Sequence, residues 1–261
     1  MKRLFFFSAI ILLLGCRDNA EEKVTPPQPE LLQQPYGTAY TLTDSQKFIY
    51  DHTALPEITV EMNAAEWNKF LNYYDQNPNN EEYVSGKFTF LKNGTTEILD
   101  NIGFRLKGNT SRRRPEGNSG EIHNSTNPDW HHASFTVSFK KFNKTQLFHQ
   151  SEKLVLKWFK DDAMYAREVF SYDLFEKFGV WTAPQSSYCR LTIKITGDAK
   201  AAYFGVYQMI EPVDDTFLAN RSSFFTTTGN LWKANWGASL KDPSLNNMGI
   251  EDVTLTYTNT P

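Results

Sequence analysis

Between Lys107 and Arg112 the chain reads Lys-Gly-Asn-Thr-Ser-Arg: a glycine, an amide and two hydroxyls between two cations. Gly108 lets the backbone come close to an anion, successive N–H groups can converge as a nest, and the side chains add donors. That is phosphate-binding chemistry. The Walker pattern is missing, because it needs a second glycine and a Lys-Ser/Thr pair, and so is the three-glycine loop of ordinary protein kinases. A solvated hairpin turn is also built from Gly, Asn and Ser, so residue types alone leave a turn and an anion site both open.

Other reactive residues offer less. Asp129, His131 and His132 bring metal-ligand residue types together, but with five histidines in all and no strong ligand spacing, no metal centre is expected. Cys189 sits in the strand-like run SSYCRLTIKI with no histidine nearby, which suits a small buried hydrophobe. The formal net charge of −3 lacks the basic excess of a nucleic-acid binder, so no nucleic-acid partner is expected.

The ends of the chain carry organisation. Lys2 and Arg3 precede an apolar run from Phe5 to Leu14, too short to cross a bilayer. The run closes on Leu-Leu-Gly-Cys, which resembles a bacterial lipobox. Residues 1–15 are therefore expected to be a signal peptide and Cys16 to be lipidated, holding the protein in the cell envelope by a membrane anchor alone. Lipid on Cys16 leaves Cys189 as the other cysteine, so no internal disulfide is expected. Residues 16–45, polar and with four prolines, read as a flexible stalk before a folded part at 46–261.

The chain's 20 Phe, 12 Tyr and 6 Trp, most of them in that part, supply a core. Ile58 and Val60 alternate as a strand, and Asn63 with Glu66 opens a helix whose Trp67, Phe70, Leu71 and Tyr74 share a face. Asn93-Gly94 between alternating runs predicts a hairpin. A strand follows with Phe135, Val137 and Phe139 on one face and Ser134, Thr136, Ser138 and Lys140 on the other. After KLVLKWF, Asp161 or Asp162 is expected to cap a helix that Gly179 stops, with Val169, Phe170, Leu174 and Phe178 at helical spacing. A hairpin turning at Gly197-Asp198, a short helix in VDDTFLANR and a terminal strand-like IEDVTLTY complete an α+β order with a mainly antiparallel sheet and packed helices.

The succession RLKGNTSR, SFTVSFKKFNKTQLF, KLVLKWFKDDAMYAREVFSYDLFEKFGVWTAPQSSYCRLTI, YFGVYQMIEPVD and GNLWKANWG resembles the CotH family, spore-coat-protein-H-like atypical protein kinases, over about residues 55–255. The resemblance implies a kinase-like N-terminal lobe and hinge, ATP and Mg2+ as cofactors, and γ-phosphoryl transfer to a protein serine or threonine. Carried over, Gly108, Asn109, Thr110 and Ser111 would touch the phosphates, with Lys107 and Arg112 as support. Glu168 would orient the nucleotide lysine, and the chain near Ile210 and Glu211 would meet adenine. In the family's KKSFKIKF-like strand this chain has HASFTVSF, so His132, Thr136 and Ser138 stand where lysines are usual; Lys140 and Lys157 are the substitutes. The family's catalytic and metal-binding aspartates follow the hinge, where this chain shows no Asp-x-Asp motif, so the resemblance implies a second lobe missing here and no catalytic residue in this chain. A non-catalytic envelope lipoprotein or a pseudokinase of the same fold is the alternative.

Overall fold

Apolar residues alternate with polar ones along most of the long extended runs, and the inward set closes on itself. The computed structural model describes residues 43–221, 228–234 and 250–258. In chain order the elements are α1 (Asp44–Tyr50), β1 (Glu57–Asn63), α2 (Ala64–Gln76), β2 (Val84–Lys92), β3 (Thr95–Lys107), β4 (Ser134–Ser138), β5 (Lys153–Lys157), α3 (Arg167–Lys177), β6 (Ser186–Thr196), β7 (Ala202–Ile210), α4 (Asp215–Ala219), β8 (Thr228–Ala234) and β9 (Ile250–Thr258). Seven strands form a closed barrel in the order β1-β2-β3-β4-β5-β7-β6, while β8 and β9 pair antiparallel with each other. Every barrel pair is antiparallel except β1–β6, which is parallel and closes the ring. The α+β class with a mainly antiparallel sheet is as expected; the closure is not visible in local pattern, because it depends on β1 meeting a strand more than a hundred residues away.

Local chemistry explains the elements. Asn93 (φ 52°) and Gly94 (φ 77°) both take the left-handed conformation of a tight hairpin turn, with Lys92 opposite Thr95. The Asn63 side chain accepts the Glu66 N–H at 2.8 Å and starts α2. Glu66 does not return the bond: its carboxylate accepts the Ser85 N–H at 2.7 Å, tying α2 to β2. Trp67, Phe70 and Leu71 then enter the barrel core with Phe88, Phe104, Phe135, Val137, Leu156, Cys189 and Tyr207. Cys189 is wholly buried, and burial pushes its thiol pKa up, as fits an inert hydrophobe.

Three expectations need correction. α3 begins at Arg167, later than the aspartates predict, because Asp161 and Tyr165 adopt positive φ (62° and 56°) and break the helical path. Asp162 still serves the helix end at a distance, its carboxylate accepting the Arg167 N–H at 2.8 Å, and Gly179 (φ 69°) stops the helix. The apolar face expected on α3 is also not a core face: Val169 is buried, whereas Phe170 and Phe178 are exposed. On β4 the expected polar face is not solvated either. Ser134, Thr136 and Ser138 are buried like their apolar neighbours.

Candidate functional site

Register along the barrel decides which candidates can meet. Lys107 on β3 lies opposite Ser134 on β4, Phe135 lies opposite Leu156 on β5, and Lys157 lies opposite Gln208 on β7. Because Leu106, Phe135, Leu156 and Met209 point into the core, alternation puts Lys107, Ser134, Lys157 and Gln208 on the outer face along one rung. The Ser134 hydroxyl accepts the Trp158 N–H at 3.3 Å and fastens that rung. Lys107, where the Gly108 loop begins, and Lys157 are thus separated by two strand spacings, about 10 Å.

On this rung Lys157 Nζ donates to Glu168 on α3, forming an ion pair. Glu168 was expected to orient a lysine, and of the two substitutes the structure brings Lys157 to it. Lys140 pairs with Glu152 instead. It lies beyond the far end of β4, on the order of 20 Å along the strand from the Lys157 rung. The Lys157 and Glu168 side chains retain 38% and 41% of their exposure, so water screens the pair and it contributes little stability. Its significance is positional.

A cavity of about 40 Å³ lies beside the pair, lined by Lys157, Trp158, Lys160, Asp162, Arg167, Glu168 and Gln208 among others. Three cations and two carboxylates therefore share one small space. That is room for a water molecule but not for a nucleotide, whose pocket needs about 300 Å³ or more. The Trp158 indole stacks on His132 at 5.5 Å, and its buried Nε1 has no hydrogen-bond partner. Lys160, Asp162, Arg167 and Gln208 were not singled out from sequence as site residues. Only the alternation of Gln208 against Met209 hinted at its outward face.

The Gly108 loop is strictly shaped. Gly108 sits at φ 121°, and a Cβ there would come within 2.6 Å of the Ser111 hydroxyl. Asn109 and Thr110 are exposed, and Ser111 is half-buried. Arg112 folds back: its Nε donates to Gly108 O at 2.6 Å, and its guanidinium reaches Asn80 O at 2.6 Å and the Glu81 carboxylate at 2.9 Å. In this conformation Arg112 fastens the loop to the segment after α2.

Glu211, expected at the adenine hinge, is buried with both carboxylate oxygens on Arg221, at 2.9 and 2.8 Å. Its N–H donates to Gln185 O at 2.9 Å, and a carboxylate oxygen also accepts the Gln185 N–H at 3.1 Å. This network joins the end of β7 to α4 and fixes the chain path there. Asp129 and His131 lie 3.1 Å apart, and no group of three or more His, Cys, Asp or Glu able to hold a metal occurs among the described residues. Cys16 lies outside the described residues.

The segment after Arg112 proves to be a built cap. The buried Arg114 guanidinium donates to Asp75 of α2 at 2.8 and 3.1 Å and to the Glu116 and Glu121 carbonyls. Burial alone would raise the Asp75 carboxyl, but hydrogen bonds from Arg114, Gly120 N–H and Ser119 outweigh it and hold the pKa low. Trp130 packs on Trp67 and Phe204, with ring centroids 5.8 and 5.6 Å away. Arg112 and Arg114, two of three consecutive arginines, thus hold protein groups.

A family model described as CotH kinase protein matches residues 105–259. The match begins inside β3 and takes in the Gly108 loop, the Lys157–Glu168 pair and Glu211, a narrower span than the resemblance suggested. No curated protein and no solved structure matches the chain. With more than half of its length under that one description, the chain belongs to the CotH kinase family.

Proposed function

We propose that this chain holds ATP for phosphoryl transfer to a protein serine or threonine, from a lipid-anchored position in the cell envelope. The observation that carries the reading is the Lys157–Glu168 ion pair, set on the same barrel rung as the loop that Gly108 opens. Phosphoryl transfer is catalysed mainly by positioning and charge stabilisation, and a helix carboxylate that orients a strand lysine supplies both. Lys157 would meet phosphate oxygens, with Lys160 and Arg167 adding positive charge and the amides around Gly108 to Ser111 closing over the far side. The residues present fit a polyphosphate. They do not present a metal cage, so the role of Mg2+ would rest on the nucleotide's own oxygens together with groups outside the described set.

The narrow cavity requires α3 to shift outward before nucleotide enters. A second reading rests on that same narrowness and on the exposed aromatics of α3: a non-catalytic envelope protein, pseudokinase or binding module, with this fold. Thermal unfolding with Mg-ATP separates the two. Nucleotide binding raises Tm by an amount that grows with ligand concentration. Lys157→Met and Gly108→Val should each abolish the rise, while Lys140→Met should keep it. No shift in the unaltered, full natural chain overturns the nucleotide reading, and a shift without transfer of labelled γ-phosphate leaves the pseudokinase.

A further inference from the structure

Outside the Lys157 region, one ionisable cluster joins three elements. His123 of the cap is nearly enclosed, its side chain 6% exposed, and both ring nitrogens face carboxylates. Nδ1 lies 2.7 Å from Glu116 Oε1, and Nε2 lies 2.9 Å from Asp198 Oδ2 in the β6–β7 turn. Only an imidazolium carries a proton on both nitrogens; a neutral ring offers one donor and one lone pair. Neutral His123 would therefore aim a lone pair at one of the two carboxylates.

The rest of the cluster decides which contact gives way. Glu116 is more deeply buried than Asp198 and also accepts from the Trp67 indole of α2 and from the Asn124 N–H at 3.0 Å. The His123 N–H donates to Asn68 of α2 at 2.7 Å, which keeps the residue in place whatever its charge. The other charged groups at hand are Arg114 and Glu121 on the cap and Asp75 on α2. They are engaged elsewhere: Arg114 holds Asp75, and the Glu121 carboxylate accepts from Asn118. Asp198, by contrast, sits at a turn where it can rotate into water.

We propose that His123 is a pH-operated latch between the 113–131 cap and the β6–β7 turn, closed while the ring is charged and open at Asp198 once it is neutral. Glu116 keeps the remaining proton donor, so the cap stays on α2 while the turn at 197–201 is released. Burial by itself would lower the His123 pKa, but the hydrogen bonds to Asp198 and Glu116 outweigh it and raise the value above that of an ordinary histidine. The latch accordingly contributes its full stability below the unfolded-state value and loses it as pH rises through the raised one. This device does not depend on what the Lys157 region binds.

Hydrogen exchange on the full chain between about pH 5 and about pH 9, corrected for intrinsic rates, tests it, with NMR following the ring's own titration. Protection of amides 197–201 should fall several-fold at the midpoint where His123 loses its proton, while amides on α2 keep theirs. His123→Gln should show low, pH-independent protection in the turn, and Asp198→Asn should remove the step while the ring titrates lower. Flat protection across the ring's titration overturns the proposal, as does a wild-type step in His123→Gln. Should His123→Gln fail to fold, the Asp198→Asn variant at the turn's surface decides alone, and an unchanged step there rejects the latch.

Discussion

The two long helices, α2 and α3, attach to the same barrel in opposite ways. α2 starts on a side-chain cap, buries Trp67, Phe70 and Leu71, and is clamped from above by Arg114 and Glu116. α3 has no side-chain cap at its N-cap residue and buries Val169, and its outer surface leaves Phe170 60% exposed. What holds α3 to the barrel includes the Lys157–Glu168 pair and the Tyr188 hydroxyl donating to Tyr165 O at 2.6 Å. A helix seated by apolar burial cannot move without losing the core, whereas one seated by screened polar contacts can shift at low cost. The contrast therefore assigns α2 to stability and leaves α3 free to respond at the site that Glu168 marks.

Substitutions can break this contrast. Trp67→Ala should have the largest effect, about 3–5 kcal/mol of lost stability in a denaturant titration, because it empties core volume and removes a donor from buried Glu116. Arg114→Ala should cost about 3 kcal/mol, since Asp75 would remain partly buried without its cation. The same pair predicts an acid dependence. With its folded pKa lowered, Asp75 contributes stability above the ordinary carboxylate range and loses it as pH falls through the folded value. In Arg114→Ala that part of the acid-unfolding profile should flatten.

On α3 the expected effects shrink. Glu168→Gln should cost less than about 1 kcal/mol because the pair is open to water, yet it should remove any Mg-ATP-dependent rise in Tm. Phe170→Ser should change stability by no more than about 0.5 kcal/mol. If either α3 substitution cost as much as Arg114→Ala, the two helices would be equally structural, and the mobility assigned to α3 would be lost.

Short-range signals were legible because neighbouring residues determine them. Asn93-Gly94 gave its hairpin, Asn63 its helix start, and the alternation around Ile58 and Phe135 its inward faces. The resemblance named Glu168 and left its lysine between Lys140 and Lys157. The helix start at Arg167 was misplaced because the left-handed turns at Asp161 and Tyr165 carry no glycine to announce them. The roles of Arg112 and Arg114 were hidden for another reason. Their partners at Asn80, Glu81 and Asp75 lie more than thirty residues earlier in the chain.

By itself the sequence determined which segments extend, which coil and which residue faces are apolar, since those follow from periods of two and of about 3.6 residues along the chain. It also determined family membership, through ordered motifs that survive without any coordinates. Tertiary structure alone decided that β1 closes the ring on β6, that Lys157 rather than Lys140 reaches Glu168, and that the cap's histidine lies between two carboxylates. Each of these is a meeting of residues distant in the chain or of side chains whose reach depends on strand register. Register and closure are set by how the whole core packs, which no short window of sequence contains.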